Sequence, residues 1–347
     1  MNRIEQVLLE ASAALGLEEL GLTSDLQTTL LTPRFPTSRH VVALVHAPGD
    51  RLPRAVAKVP RRPGDDAGVR TEVAALDALA SLAGGQAPGV PRVLGTLHVD
   101  GRTMLVQTAV TGVPLEPARV AADVDGAVSA GVRFLSGLPV VRSAEENRDW
   151  YERLITVPLD DLLRLAPLDG ETARLCELTH ALLAPLRDTP LPGVFEHGDL
   201  SHPNLFLSAD GTSLEVIDWE RAVENGLPGH DLVFFAQYVS QCRGGAATRA
   251  DQLAAFDEAF CGPEAWAGPV LERHLSDRGV PSVDAALLVL AGWARTAATL
   301  TSRLAADRPG QGSAVAVAEL VRADRDVALW RHALRRAEQG ELLRSAV

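Results

Sequence analysis

The sequence has few cysteines, and none is placed as a metal or dithiol site would require. Cys176, Cys242 and Cys261 are odd in number and far apart, and no CxxC spacing occurs. This pattern excludes the common zinc and dithiol motifs, and it suits thiols kept reduced in a cytoplasm.

Long apolar runs are also missing. The longest uninterrupted run covers residues 285–294 and stops at Arg295, so it is too short to span a bilayer. Glu5 and Glu10 interrupt the N-terminal apolar residues, where a signal peptide needs a continuous apolar core. We therefore expect no membrane span, no signal peptide and a cytoplasmic location.

Basic residues are outnumbered, since 33 Lys and Arg stand against 45 Asp and Glu, and the formal net charge is -12. Nucleic acids and anionic membranes reward clustered Lys and Arg, so neither is expected as the main partner. A cationic or neutral small molecule fits better, although surplus acid is also a common way to stay soluble. The sequence leaves the oligomeric state unknown.

The chain has an ordinary globular composition, 46% hydrophobic and 22% charged, without an internal repeat. Its 347 residues exceed the usual size of a single core, so two lobes are expected. Apolar spacing in the first part predicts, in order, an N-terminal helix, three strands, a helix and two strands. The predicted ranges are 4–16, 26–31, 40–46, 54–59, 69–82, 92–98 and 103–109.

Gly112 and Pro114 interrupt this pattern, and the sequence beyond them is mainly helical in its spacing. We therefore predict one lobe over residues 1–110 and a second over 111–347. A strand-like stretch at 194–219 is the exception within the second lobe. The predicted helices are 118–135, 172–186, 230–241, 251–260, 283–304 and 314–339.

The strongest chemical signal is the segment His197-Gly-Asp199-Leu-Ser-His-Pro-Asn204, which an apolar strand and Ile-Asp218-Trp-Glu follow. An Asp on a tight loop can accept the proton of an incoming hydroxyl. An Asn and a second Asp supply the hard oxygen ligands that Mg²⁺ prefers alongside phosphate and water. A hairpin over 205–217 would bring Asn204 and Asp218 close together.

These two motifs resemble the catalytic and metal-binding motifs of aminoglycoside phosphotransferases and the related choline and sugar kinases. The resemblance implies an α+β, two-lobe protein-kinase-like fold, with an N-lobe of antiparallel sheet plus helix and a mainly helical C-lobe. It also implies that Asp199 is the catalytic base, that His197 braces the loop, and that Asn204 and Asp218 hold Mg²⁺. The phosphoryl donor would be ATP or GTP.

Upstream, Ala-Val-Ala-Lys58-Val resembles the V-A-I-K strand of these kinases, and Glu72 lies early on the following predicted helix. The resemblance implies that Lys58 contacts the α and β phosphates and that Glu72 orients it. A lone Lys on a strand and a Glu near a helix start are also common solvated residues. Both residues nevertheless fall where the order of strands and helix requires them.

The resemblance also places the nucleotide base against the link after the fifth strand, Gln107, Thr108, Ala109 and Val110. The loop between the first two strands, which should cover the phosphates, has no glycine over residues 32–39. Thr37 and Ser38, or the arginines beside them, are candidates for phosphate contacts, or they are solvated loop residues.

Asp231, in Pro-Gly-His-Asp-Leu, resembles a family residue that caps the next helix and supports the catalytic loop, and an ordinary N-cap is the alternative. An acidic stretch over 145–161 either receives substrate amines or forms a solvated helix face. The sequence leaves open both the role of Asp231 and that of the acidic stretch.

The function predicted from the sequence is a kinase that phosphorylates a hydroxyl of an aminoglycoside-like or other amino-sugar or natural-product acceptor. Choline, homoserine and simple sugars are alternative acceptors. A nucleotide-binding pseudokinase with weak or no turnover, and an interaction protein with an accidental match, are the readings outside this class. A protein kinase is disfavoured because HGD replaces HRD and no A-P-E segment follows.

Overall fold

The computed structural model describes residues 2–31, 39–165, 170–306 and 314–343. The chain divides into two compact units. Unit 1 comprises residues 1–115 and 203–223, and unit 2 comprises residues 116–202 and 224–347.

Within the first 115 residues, the described ranges contain three helices, a short 3₁₀ turn at Leu17–Leu20 and six strands. In chain order they are α1 Arg3–Glu10, α2 Ser12–Leu15, β1 Gln27–Leu31, β2 His40–His46, β3 Ala55–Pro60, α3 Ala67–Leu82, β4 Val93–Val99, β5 Arg102–Thr108 and β6 Val113–Pro114.

The rest of the described chain is mainly helical, with five short strands. In chain order the elements are α4 Pro117–Ala122, α5 Val124–Gly137, β7 Val140–Arg142, α6 Val157–Leu165, α7 Gly170–Leu182, β8 Gly193–Glu196, β9 Leu205–Leu207, β10 Leu214–Val216, β11 Val223–Gly226, α8 His230–Gly244, α9 Arg249–Phe260, α10 Ala267–Ser276, α11 Ala285–Ala306, α12 Ala314–Ala323 and α13 Arg325–Glu338.

Unit 1 is built on a five-stranded antiparallel sheet with the strand order β1-β2-β3-β5-β4. Alternate residues of β3 face a core formed with the N-terminal helices, where Leu8, Ala57 and Val106 are fully buried. Burying a leucine of this kind contributes roughly 1.5–3 kcal/mol. Because side chains alternate along a strand, Lys58 points away from that core, towards the face on which it meets α3.

The order of three strands, helix and two strands predicted from the sequence is confirmed. The helix predicted over 4–16 is divided into α1, which ends at Glu10, and α2, which ends at Leu15 before the left-handed backbone of Gly16. The predicted hairpin is also confirmed, since β9 and β10 pair antiparallel. Asp210 stabilises its turn by accepting hydrogen bonds from Ser208 and Thr212.

Unit 2 contains most of the helices, and its core includes the buried Trp150, Trp293 and Trp330. Two helices predicted as continuous are each divided in two by an aspartate that caps the second half. Asp123 accepts from Gly126 at the start of α5, and Asp324 accepts from Asp326 and Val327 at the start of α13.

Helices α6 and α10 were not predicted, because each is short and its apolar spacing covers only two to three turns. In the described ranges, no helix has the length and apolar character needed to cross a membrane.

Candidate active site

Lys58 is the centre of a buried charge cluster in unit 1. Its Nζ donates to Glu72 Oε2 on α3 at 2.6 Å and to Asp218 Oδ1 just after β10. Glu220 Oε2 lies 3.9 Å from the same nitrogen. The structure therefore joins the strand lysine, the helix glutamate and the motif aspartate, although 160 positions separate Lys58 from Asp218.

The cluster has more negative than positive charge. At their formal charges the four side chains sum to -2, and burial raises the pKa of one of them, Glu72. Burial alone would lower the pKa of Lys58, but the charges of Asp218 and Glu72 outweigh it and raise that pKa. The adjacent His40 adds no positive charge near neutral pH, because burial lowers its pKa to about 4.

Lys58 is also the only lysine in the 347-residue sequence; all the other basic side chains apart from histidine are arginines. It is 6% exposed, whereas lysines are rarely buried unless they are paired. A compact ammonium with three rotatable donors can serve several carboxylates at once, while the planar fork of arginine matches one carboxylate best. The single lysine therefore lies where a point charge is needed.

Asp218 and Asn204 are adjacent in the structure of unit 1. The backbone N–H of Ile217 donates to the carbonyl oxygen of Asn204 at 3.0 Å, so the two segments pair next to the hairpin. Asp218 has a left-handed backbone with φ 66, uncommon for a residue with a side chain. Such outliers cluster at functional sites, where surrounding contacts maintain them.

The chemistry of these donors fits Mg²⁺. An amide oxygen, carboxylates and an excess of two negative charges suit a hard divalent cation. The Asp218 side chain is 38% exposed, so a ligand can reach it. One oxygen of Glu72, Oε1, is buried without a hydrogen-bond partner in the described part of the chain.

The sequence analysis did not identify His40 as a site residue, and it did not predict the contacts of Glu220. His40 Nδ1 lies 3.3 Å from Glu220 Oε2, and a Cβ added to Gly68 would lie 2.9 Å from that oxygen. Glu220 had a signal, because it follows the motif aspartate by two positions. His40 had none, since its role depends on a contact across 180 positions.

Residues 197–202, the first part of the motif that begins at His197, lie in unit 2 after β8. His197 is fully buried, and its Nδ1 accepts the backbone N–H of Asp199 at 3.2 Å. Gly198 has φ 79, a conformation in which a side chain would be strained. Asp199 itself is half-buried.

Asp231, on the first turn of α8, accepts the backbone N–H of His197 at 2.7 Å and of Gly198 at 2.9 Å. It does not cap its own helix through its side chain. Burial raises the pKa of Asp231 to about 7, helped by the negative charge of Glu196. Of the two roles considered for Asp231, the geometry supports the contact with the His197 loop.

Glu196 and Arg295 form a buried ion pair beside this loop, and sequence reasoning missed both. Arg295 Nη1 donates to Glu196 Oε1 at 2.5 Å. Burial would raise the pKa of Glu196, but Arg295 and His230 outweigh that effect and lower it. No spacing pattern could reveal a pair 99 positions apart.

The predicted base-binding link begins within β5. The backbone N–H of Thr108 donates to Arg92 O at 2.9 Å, and that of Ala109 donates to Arg54 O at 3.1 Å. Gln107 is 4% exposed, and its Oε1 is buried without a partner in the described ranges. Val110 follows directly. Thr37 and Ser38 lie outside the described residues.

The acidic stretch over 145–161 is largely engaged in local contacts of unit 2. Glu146 accepts from Ser143, Asp149 lies 3.7 Å from Arg153, and Asp161 pairs with Arg164 at 2.6 Å. These contacts favour the solvated helix face over a substrate site.

Comparison with protein families gives a match to the model described as the phosphotransferase enzyme family, over residues 37–269. This range is more than half of the chain and includes all the motifs described above. Among curated proteins there is no match.

Solved structures similar to this chain include three small-molecule kinases of low sequence identity. One is an ethanolamine kinase of Plasmodium vivax, with 9% identity, a TM-score of 0.55 and coverage of 95% of this chain and 89% of its own. A second is the aminoglycoside phosphotransferase APH(4)-Ia, a thermostable mutant bound to AMP-PNP and hygromycin B, with 14% identity, a TM-score of 0.56 and coverage of 96% and 99%.

The third is aminoglycoside 2'-phosphotransferase-IIIa in complex with GDP, with 15% identity, a TM-score of 0.50 and coverage of 98% and 99%. At such identities the likeness concerns the fold alone. Together with the family match it confirms the predicted α+β, protein-kinase-like fold class.

Proposed function

Because the chain belongs to the phosphotransferase enzyme family, we propose that it transfers the γ-phosphoryl group of Mg-ATP to a hydroxyl of an aminoglycoside-like or other amino-sugar or natural-product acceptor. Phosphoryl transfer to an alcohol group of a small molecule is the chemistry that the family match establishes. The nucleotide, the metal and the acceptor class are the finer parts of the proposal.

One observation supports the proposal more than any other: the cluster around Lys58, with its excess of two negative charges. Phosphoryl transfer needs cations beside the phosphates, and positioning and electrostatic stabilisation provide most of the rate. When bound, Mg²⁺ would neutralise charge on the phosphates. Asn204 and Asp218 would hold it, and Lys58, oriented by Glu72, would contact the phosphates.

Asp199 is proposed to orient the acceptor hydroxyl and accept its proton. His197 supports this role, because its contact with the Asp199 N–H restrains the backbone from which the carboxylate extends. A base of this kind contributes typically 10²–10⁴-fold to a rate.

The nucleotide base is proposed to lie against the link formed by Gln107, Thr108, Ala109 and Val110. The amides of Thr108 and Ala109 already bond within unit 1, so the carbonyl groups of the link and the Val110 amide are the proposed partners of the base. Thr37 and Ser38 are proposed phosphate contacts, and GTP is the alternative donor. The lobes 1–110 and 111–347 remain a prediction.

The acceptor class rests on the net charge of -12 and on the family. An acidic protein attracts cationic amino sugars and amino alcohols at low ionic strength. Two of the similar structures carry aminoglycoside phosphotransferase names and one is an ethanolamine kinase, so both kinds of amine belong in a screen.

The test is a turnover screen with Mg-ATP and Mg-GTP across amino sugars, choline, ethanolamine, homoserine and simple sugars, with mass spectrometry of the products. We expect a product heavier by one phosphoryl group. The Asp199→Ala variant should lose 10²–10⁴-fold in kcat. Asp77→Ala, at an exposed position of α3, is the matched control and should keep the parent rate.

Equal and negligible turnover in the parent and in Asp199→Ala, together with a melting temperature raised by Mg-ATP, would indicate a pseudokinase. The absence of both turnover and a melting shift would contradict nucleotide binding altogether.

A further inference from the structure

Four titratable or charged side chains, Glu196, His230, Asp231 and Arg295, are buried together in unit 2. Their exposures are 1%, 5%, 5% and 6%. Charged groups are rarely buried to this degree unless they are paired, because leaving water is costly. The cluster lies directly beside the segment that contains His197 and Asp199, yet none of its members is proposed to touch a substrate.

Glu196 joins three elements of unit 2. It ends β8, its Oε1 accepts from Arg295 on α11 at 2.5 Å, and its Oε2 accepts the backbone N–H of Leu227 at 2.7 Å. His230 Nε2 on α8 lies 3.4 Å from Oε1. A Cβ added to Gly226 would lie 1.8 Å from Oε2, so the carboxylate packs tightly against this backbone.

Asp231 extends the cluster to the catalytic loop through its bonds to the backbone of His197 and Gly198. Polar atoms of Glu196, His230 and Asp231 lie within 4.8 Å of one another. Arg295 pairs with Glu196, so with both carboxylates ionised and His230 neutral the four side chains have a formal charge of -1.

A metal ion is not the natural complement of this cluster. The guanidinium of Arg295 already neutralises Glu196, and two backbone N–H groups already bind Asp231. A divalent cation beside Arg295 would add repulsion where no member of the cluster is more than 6% exposed.

We propose that Glu196 and Arg295 are positioning residues for phosphoryl transfer, which act in opposite directions on the charge of Asp231 and thereby on its contact with the catalytic loop. The inference rests on the proposed function, because the loop matters for turnover only if Asp199 is the base. Glu196 and Arg295 act on Asp231 with opposite sign: the carboxylate disfavours a second negative charge nearby and the guanidinium favours it.

Because Glu196 and Arg295 affect the charge of Asp231 in opposite directions, their positioning role can be distinguished from a general contribution to the stability of the fold. The pKa of Asp231 near 7 makes its charge sensitive to neighbours in an accessible pH range. Removing the Glu196 charge should lower that pKa, and removing the Arg295 charge should raise it. A loss of folded structure alone would move both variants in the same direction.

Other charged groups near the cluster must be kept constant in the comparison. His274 on α10 and Arg278 just after that helix line a small cavity together with Glu196 and Asp231. Burial lowers the pKa of His274 to about 3, so it stays neutral above pH 5. Arg153 interacts electrostatically with Glu196 and Arg295. The backbone N–H of His197 donates to Asp231.

The experiment measures kcat and KM for Mg-ATP between pH 5.5 and 9 in the parent, Glu196→Gln, Arg295→Lys and Arg295→Met. We expect the acidic limb of kcat to move to lower pH in Glu196→Gln and to higher pH in Arg295→Met, each by about one pH unit. Arg295→Lys should restore most of the parent profile, and KM should change little in all three.

Arg336→Met is the matched control. Arg336 pairs with Asp257 and Glu341, so its loss also breaks an ion-pair network of unit 2, but one that does not include Asp231. Its kcat profile should keep the parent pH dependence. A shift in the same direction in Glu196→Gln and Arg295→Met, or no shift in either, would overturn the proposal.

Hydrogen exchange at the backbone amides of His197 and Gly198 provides a readout that needs no activity. After correction for the intrinsic pH dependence of exchange, protection should decline at lower pH than in the parent for Glu196→Gln, and at higher pH for Arg295→Met. Unchanged protection in folded variants would refute the inference. If protection shifts as expected but no acceptor is turned over, the proposed function fails while the Asp231 contact stands.

Discussion

The two units each contain a buried charge cluster, but the clusters differ in how they are neutralised. Around Lys58 in unit 1, three carboxylates face one ammonium, and Asp218 remains 38% exposed. Around Arg295 in unit 2, no cluster member is more than 6% exposed, and backbone N–H groups donate hydrogen bonds to both carboxylates. We therefore propose that a ligand completes the first cluster, whereas backbone N–H groups already satisfy the carboxylates of the second.

The cations of the clusters differ in a corresponding way. Lys58 presents a point charge to carboxylates on α3 and after β10. Arg295 presents a planar guanidinium, which suits a buried pair with the carboxylate of Glu196. We therefore expect substitutions in the first cluster to change ligand binding, and those in the second to change how the loop responds to pH.

Of the substitutions that test this comparison, Asp218→Asn should have the largest effect, because it keeps the shape of the side chain and removes its charge. We expect kcat to fall on the order of 10²–10³-fold, because the charge proposed to hold Mg²⁺ is lost. The stabilisation by saturating Mg-ATP, about 2.7 kcal/mol at 100 times Kd, should shrink as well. Asp77→Asn, at an exposed position of α3, is the control. Retention of the parent Mg-ATP melting shift in Asp218→Asn would contradict the view that a ligand completes this cluster.

A smaller effect is expected in the chemical reactivity of Lys58, which can be followed because the chain has no other lysine. An amine-directed reagent should label the N-terminal amine quickly and Lys58 slowly, since Lys58 is buried and its pKa is raised. In Asp218→Asn that pKa should fall, so labelling at Lys58 should accelerate while the N-terminal amine serves as an internal control. Mass spectrometry distinguishes the two sites, and equal labelling rates in parent and variant would show that Asp218 does not control the charge of Lys58.

The smallest effect concerns global stability, and it tests the buried region of unit 2 around His274. The pKa of His274 is lowered to about 3 because burial disfavours its charged form. Its stabilising contribution is present above the unfolded value of 6.5 and is lost as pH falls towards 3. From pH 8 to pH 5 the loss should be about 2 kcal/mol.

In His274→Gln this part of the pH dependence should be absent from the free energy of unfolding, measured by urea denaturation at each pH. His180→Gln, a half-buried histidine of α7, is the control. A parallel loss of stability in the parent and in His274→Gln would show that His274 is not the group responsible.

Much of unit 1 was predictable because local periodicity and a local turn determine it. Alternation along β3 placed Lys58 opposite the apolar core, and helical spacing placed Glu72 on α3. The hairpin required only two short apolar segments and a turn containing Asp210 and Gly211. The divisions at Asp123 and Asp324 were missed because an aspartate within a helical pattern is common, and only its contact identifies a cap.

The sequence by itself determined the fold class, the family motifs and the types of group that phosphoryl transfer needs, because each of these depends on short-range spacing. Only the tertiary structure decided which charges meet. It brings Asp218 into contact with Lys58 and His40 close to Glu220. It also pairs Arg295 with Glu196, which lies 99 positions away in the sequence. The reason is physical: Coulomb attraction and the cost of removing a charge from water depend on distance and burial in three dimensions, and no spacing along the chain encodes them.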